Sequence, residues 1–317
     1  MYTFIISTSS FDITNNPAIQ RLIQAGLQPV TNPYSRKLTE DEAAELLKEN
    51  VIGMIAGVEP LTARVIQCAK NLKVISRCGT GMDSVDLAAA RSHGIAVYNT
   101  PEAPAQAVAE LTLGLILASL RRICETDRQI RKGEWPRTQG GLLAAQTVGL
   151  IGLGHIGKRV AKLCQAFEAD VIAYDPGIDQ APAGVTLKPL TQLLETADII
   201  SLHTPYNPDL HHLIDAQAIA RMKPGALLIN AARGGLVDEE ALKAALDNRR
   251  LAAAALDAFE QEPYQGPLLQ CNNLILSSHV GSLARESRQR MELEAAENLL
   301  HGLIKTGIIH DAQQNSA

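Results

Sequence analysis

The stretch VGLIGLGHIGK, residues 148–158, is the one whose reading decides the fold. Gly152, Gly154 and Gly157 stand in the spacing G-x-G-x-x-G, which is a weak signal by itself. Its context makes it specific. An apolar run, TVGLIG (147–152), precedes the helical pattern KRVAKLCQAF, and an acid, Asp175, closes the next apolar run 18 residues after Gly157. In such a strand–turn–helix unit the first glycine makes the tight turn. The second lets a pyrophosphate approach the backbone, and the third lets helix and sheet pack closely. Free amides at the helix N-terminus face the phosphates. Asp175 is expected to accept hydrogen bonds from the adenosine ribose and to repel a 2′-phosphate. No Arg or Lys follows it in YDPGID (174–179), so the expected cofactor is NAD rather than NADP.

Outward from this unit the pattern repeats. DVIAYD (170–175), DIISLH (198–203), ALLINAA (226–232), LAAAALDAF (251–259) and NLILSSH (273–279) read as strands. Helical stretches separate most of them, the clearest being DEEALKAALDN (238–248) with Asp238 as N-cap. The first hundred residues alternate similarly, with strand-like YTFIIST (2–8), VIGMIAG (51–57), KVIS (73–76) and IAVYN (95–99). Between them lie TEDEAAELLKEN (39–50), with a Thr39–Glu42 capping box, and DLAAARSHG (86–94), opening on Asp86 and closing on Gly94. Two parallel sheets with crossover helices follow from this alternation. Joining the series, APAQAVAELTLGLILASLRR (103–122) is apolar almost all round. It is expected as one long helix buried on several sides, between domains or in a dimer interface. The domain junction is placed at Thr100–Pro101. The last helical pattern, RESRQRMELEAAENLL (285–300), is expected to return to the first domain, and the tail DAQQNSA (311–317) to fray.

Composition narrows the function classes. The 317 residues suggest roughly two domains of ~150 residues. With 46% hydrophobic and 20% charged residues there is material for two ordinary cores. A net charge of −5 gives no electrostatic case for nucleic acid or an anionic membrane, so an anionic substrate must be held by local cations. The five cysteines are scattered, without zinc-site or disulfide spacing, and no metal is expected. That usage suggests a reducing, cytoplasmic setting. The N-terminus lacks the basic and apolar regions of a signal peptide, and no apolar run approaches the ~20 residues of a membrane span.

Three further stretches fall at C-terminal ends of the expected strands, the edge where open α/β sheets bind ligands. NAARGGLVDEEAL (230–242) offers Arg233, ALDAFEQEP (255–263) offers Asp257 and Glu262, and SSHVGS (277–282) offers His279 at a strand end. Oxidation of a 2-hydroxy acid needs such a set. An arginine fork holds the carboxylate, a histidine takes the hydroxyl proton, and a carboxylate behind the imidazole fixes its tautomer. Singly, each has a plainer reading. Arg233 could cap a helix or pair with Asp238, Glu262 could be a solvated charge before Pro263, and His279 could merely finish a strand.

Taken together, these stretches resemble the D-isomer-specific 2-hydroxyacid dehydrogenases over residues 50–300. The resemblance includes SRCGTGMDSVDL (76–87), VYNTPEAPAQAVAELTLGLILA (97–118), ISLHTP (200–205) and MKPGALLINAARGGLVDEEAL (222–242). It implies Arg233, Glu262 and His279 as catalytic residues and Asp257 on the nicotinamide carboxamide. It also implies His155 and Ile156 at the pyrophosphate, Asp175 at the ribose, and His203, Thr204, Ala231 and Ala232 along the cofactor cleft. Gly281 would leave space for the nicotinamide and Ser282 would bond near it. The family further implies two doubly wound α/β domains, a Rossmann-type NAD domain (101–283) inserted in a flavodoxin-like substrate domain (1–100 and 284–317). Its members form a homodimer built largely on the NAD domain.

The choice of acid turns on the first domain. RCGTG (77–81) is expected to face the cofactor domain, with Cys78 in the loop and the Gly79, Thr80 and Gly81 amides as an anion nest. Arg77 and Arg137 resemble positions that approach the substrate phosphate in 3-phosphoglycerate dehydrogenases, which makes D-3-phosphoglycerate the first expectation. The stretch IAGVEP (55–60) lacks an arginine some of those enzymes carry, and no regulatory domain follows the last helix. The missing arginine leaves glycerate, hydroxypyruvate, glyoxylate and sulfolactate open. Glu262 argues against formate dehydrogenase relatives, which carry glutamine there. A reading of another class is an NAD-sensing scaffold like the C-terminal-binding co-repressors, although nothing in the chain reads as a peptide-binding appendage.

Overall fold

The computed structural model describes residues 2–48 and 50–309; the tail 311–317 and its expected fraying lie outside them. The chain divides into two compact units, Met1–Pro104 with Arg285–Ala317, and Ala105–Ala284. None of the described helices is long and apolar enough to cross a membrane.

The first unit is built on five parallel strands: β1 (Thr3–Ile6), β2 (Gln28–Thr31), β3 (Val51–Ala56), β4 (Val74–Arg77) and β5 (Ala96–Asn99). Their order, β2-β1-β3-β4-β5, is the flavodoxin-like arrangement, with the topological switch between β1 and β3. β3 is buried along its whole length, as its unbroken apolar run requires in a sheet covered on both faces. The helix Arg285–Lys305 lies against one face, where Met291, Ala295, Leu299 and Leu303 join Phe4, Ile6, Ile52 and Val74 in one core. It sits flush because glycine stands on both sides. A Cβ at Gly53 would come within 2.6 Å of Leu299, and one at Gly302 within 2.8 Å of Val74. Thr39 and Glu42 form the reciprocal capping box, and the Asp86 carboxylate caps the helix Leu87–Ser92.

The second unit contains seven parallel strands: β6 (Thr147–Ile151), β7 (Asp170–Tyr174), β8 (Val185–Leu187), β9 (Ile199–Leu202), β10 (Ala226–Asn230), β11 (Leu251–Leu256) and β12 (Leu274–Leu276). The order β12-β11-β10-β9-β6-β7-β8 reverses direction between β6 and β9, which is the Rossmann switch point. The glycine-rich turn leaves β6, and His203–Thr204 leave β9, so both border that crevice.

Four secondary-structure elements differ from the sequence reading. β2 and β8 are absent from it; each is a short edge strand, partly exposed, without an apolar run to betray it. The helix expected over 103–122 ends at Leu120, and Arg122 turns into the left-handed region (φ 53°) before a second helix, Ile123–Arg131. The strand expected over 273–279 ends at Leu276, so His279 lies on a loop, not at a strand end. The cause is Asp257, whose carboxylate accepts the Val280 and Gly281 amides and draws the chain out of the ladder.

Candidate functional site

The dinucleotide turn has the geometry its spacing requires. Gly152 adopts φ 95°, and a Cβ there would lie 2.6 Å from the His203 carbonyl carbon. A Cβ at Gly157 would meet the Gly152 oxygen at 2.2 Å, so only glycine lets the helix His155–Ala166 start this close to the sheet. Gly154 faces open space; it and His155 are exposed, and Ile156 is half-buried. Asp175 follows β7, where Oδ2 accepts the Leu153 amide at 2.7 Å and Oδ1 accepts the Gly177 amide at 2.9 Å. One oxygen thus holds the glycine-rich turn and the other its own loop, leaving capacity for hydroxyl donors. These features fit a dinucleotide: a cradle without side chains, exposed first-turn amides and a carboxylate across the turn.

Behind the turn, His203 is buried. Its Nε2 pairs with the Ser201 hydroxyl at 2.9 Å, while Nδ1 has no hydrogen-bond partner among the described residues. Burial pushes its imidazole down to about 3, so the ring is neutral. Thr204 is half-buried beside it.

Further along the same C-terminal edge of the sheet, past β9, three loops meet. His279 Nδ1 lies 3.0 and 2.9 Å from the two oxygens of Glu262. Glu262 Oε1 also accepts the Phe259 amide at 3.1 Å. His279 itself is left-handed (φ 56°) and its side chain is 45% exposed, so its ring is open to a ligand. Asp257, almost fully buried, accepts from Ser277 Oγ (2.6 Å), Val280 N (2.9 Å) and Gly281 N (2.8 Å). Its oxygens are therefore largely committed to the His279 loop. Gly281 has little room for a side chain. A Cβ there would lie 3.0 Å from the Asp257 carboxylate and 3.4 Å from Val108, while Ser282 is half-buried. Arg233 follows β10 by three residues. Its Nη1 donates to the Ala232 carbonyl at 2.8 Å, and the Ala231–Ala232 turn is half-buried. A Cβ at Gly234 would fall 1.8 Å from the Phe259 carbonyl carbon, so the arginine turn packs directly on the backbone leading to Glu262.

In the first unit the RCGTG loop differs from the expected nest. The Gly79 amide donates back to the Arg77 carbonyl at 3.0 Å, which leaves the Thr80 and Gly81 amides without acceptors among the described residues. Cys78 is not on a ligand-facing surface. Its side chain is in the core, burial raises its thiol to about 11, and its amide bonds Ala56. The Arg77 guanidinium is buried and folds back onto the Cys78 carbonyl and Gly79. Arg137 is exposed in the second unit. Sequence reasoning missed Asn230, a fully buried side chain at the end of β10 that closes the arginine turn. Its signal was its place at a strand end, three residues before Arg233.

Comparison with known proteins agrees with this geometry. Residues 113–281 match the model of the D-isomer specific 2-hydroxyacid dehydrogenase NAD binding domain. A hydroxypyruvate reductase of Thermotoga maritima is 38% identical, over 85% of this chain and 90% of that protein. A D-3-phosphoglycerate dehydrogenase of Methanocaldococcus jannaschii is 41% identical over 83% of this chain, which spans only 51% of that relative's length. A D-lactate dehydrogenase of Aquifex aeolicus, solved with NAD and lactic acid, superposes with a TM-score of 0.82 at 26% identity, covering 96% of each chain. With its NAD-binding domain matched across the whole catalytic edge, the chain belongs to the D-isomer specific 2-hydroxyacid dehydrogenases, a family of NAD-dependent oxidoreductases.

Proposed function

We propose that the protein interconverts a D-2-hydroxy acid and its 2-keto acid, with Arg233, Glu262 and His279 as its working residues. The observation that carries this reading is the His279–Glu262 pair at 2.9–3.0 Å, on a loop packed against the turn of Arg233. Arg233 holds the substrate carboxylate by its planar fork, which keeps C2 in register with the cofactor crevice. His279 Nε2 accepts the C2 hydroxyl proton, and Nδ1–H faces Glu262, whose charge stabilises the imidazolium formed. Bound NAD supplies the hydride acceptor; in the reverse sense the same imidazolium returns its proton to the carbonyl oxygen. Asp175, the Gly152–Gly157 turn and the first-turn amides of the helix His155–Ala166 would hold the dinucleotide.

D-3-phosphoglycerate is the acid first proposed, and the buried Arg77 at the end of β4, followed by the Thr80 and Gly81 amides, supports an anionic substrate. Unphosphorylated glycerate and hydroxypyruvate are the second reading. They are favoured by the stretch 55–60, which offers no cation and instead carries the buried carboxyl of Glu59, bonded by the Ser7 hydroxyl and by the Gly57 amide at 3.1 Å. A homodimer is part of the proposal. It is supported by Ile123, Ile130, Trp135 and Leu142, large apolar side chains left 49–81% exposed within one segment.

An initial-rate panel tests the reading. NAD or NADP is offered with phosphoglycerate, glycerate, lactate and sulfolactate, and NADH with hydroxypyruvate and glyoxylate. Turnover with at least one acid and NAD is expected. NAD binding without turnover of any acid would favour a cofactor-sensing scaffold instead.

A further inference from the structure

We infer that Asn230 is a positioning residue for Arg233, acting through the main chain of the arginine turn; this rests on the carboxylate-anchoring role proposed for Arg233. Asn230 is the last residue of β10 and fully buried. Its Nδ2 donates to the Arg233 carbonyl at 2.8 Å, and its Oδ1 accepts the Ala232 amide at 3.0 Å. Both ends of the side-chain amide are thus spent on the two residues that set where Arg233 points. The Ala232 carbonyl, in turn, accepts from Arg233 Nη1. The main-chain carbonyl of Asn230 accepts the Asp257 amide at 2.8 Å, and Asp257 holds the loop of His279. One residue therefore ties the anchoring turn to the strand end that bears the proton carrier's support.

The chemistry required at this position is specific. The turn presents one acceptor and one donor, and only a side-chain amide offers the complementary pair in one plane. A carboxylate keeps the bond from Ala232 but sets an oxygen against the Arg233 carbonyl. The local turn is the shortest route by which such a change reaches the substrate, and a misplacement of ~1 Å costs on the order of 100-fold in rate.

The test is a mutant cycle with a binding readout. Asn230→Asp, with the smaller, neutral Asn230→Ser beside it in case a buried charge prevents folding, is made in the wild type and in Arg233→Ala. For each, kcat/KM for the best acid of the panel and the NADH dissociation constant by fluorescence are measured. The expected result is a ~10- to 100-fold loss of kcat/KM, NADH affinity within about twofold of wild type, and loss of that extra factor in the Arg233→Ala background. A loss that persists undiminished without Arg233, or a parallel loss of NADH affinity, overturns the inference. Wild-type kcat/KM in both Asn230 variants also overturns it. Failure of the anchoring role is seen separately, as an Arg233→Ala enzyme with undiminished kcat/KM.

Discussion

His279 Nδ1 stands within 3.0 Å of both Glu262 oxygens, so the imidazole presents Nε2 outward and has its tautomer set by the carboxylate behind it. If this pair carries the proton, His279→Ala should lower kcat by ~10²–10⁴-fold. NADH binding, measured by fluorescence titration, should be nearly unchanged. Undiminished turnover would take His279 out of the chemistry.

Glu262→Gln keeps the shape and removes the charge. A charge-assisted hydrogen bond contributes about 1.5–3 kcal/mol, so kcat should drop by roughly 10- to 100-fold. The loss should be smaller than that of His279→Ala, since the imidazole remains. An equal or larger loss would show that Glu262 does more than support the ring.

Arg233→Lys preserves charge and loses the planar fork. We expect kcat/KM for every acid to fall by at least about tenfold, the scale of one lost charge-assisted hydrogen bond. NADH affinity should hold. A wild-type kcat/KM would refute carboxylate anchoring.

The buried His203 links stability to pH. Its folded value, about 3, lies below the 6.5 of an ordinary imidazole, so the unfolded chain binds the extra proton. Stability contributed by the neutral ring is intact above pH 6.5 and is lost as pH falls from there towards 3. Between pH 7 and pH 5 the loss is about 2 kcal/mol, from ~1.4 kcal/mol per unit below 6.5. Urea unfolding at both pH values should show this difference in the wild type and a smaller one in His203→Gln. Identical slopes in the two proteins would count against a neutral buried ring.

Selectivity tests Arg77 and Arg137. If either meets a phosphate, its replacement by Ala should weaken phosphoglycerate at least about tenfold more than glycerate, one charge-assisted contact being worth ~1.4 kcal/mol or more. Equal losses for both acids would leave the phosphate unread by these arginines.

What the sequence determined by itself was local. The glycine spacing at 152, 154 and 157, the caps at Thr39, Asp86 and Asp238, and the βα alternation are written within a few residues, because turns and caps are satisfied by near neighbours. The buried strands were legible for the same reason, as unbroken apolar runs such as Val51–Ala56. The edge strands β2 and β8 were not, since half-exposed residues carry no such run. The site needed the tertiary structure. Glu262 meets His279 17 residues away, and Asp257 holds a loop more than 20 residues on. Cys78 turns into the core although it stands in the motif, and Asn230 closes the arginine turn without any motif announcing it. Which donor meets which acceptor depends on where the sheet brings the loop ends together, and only the fold decides that.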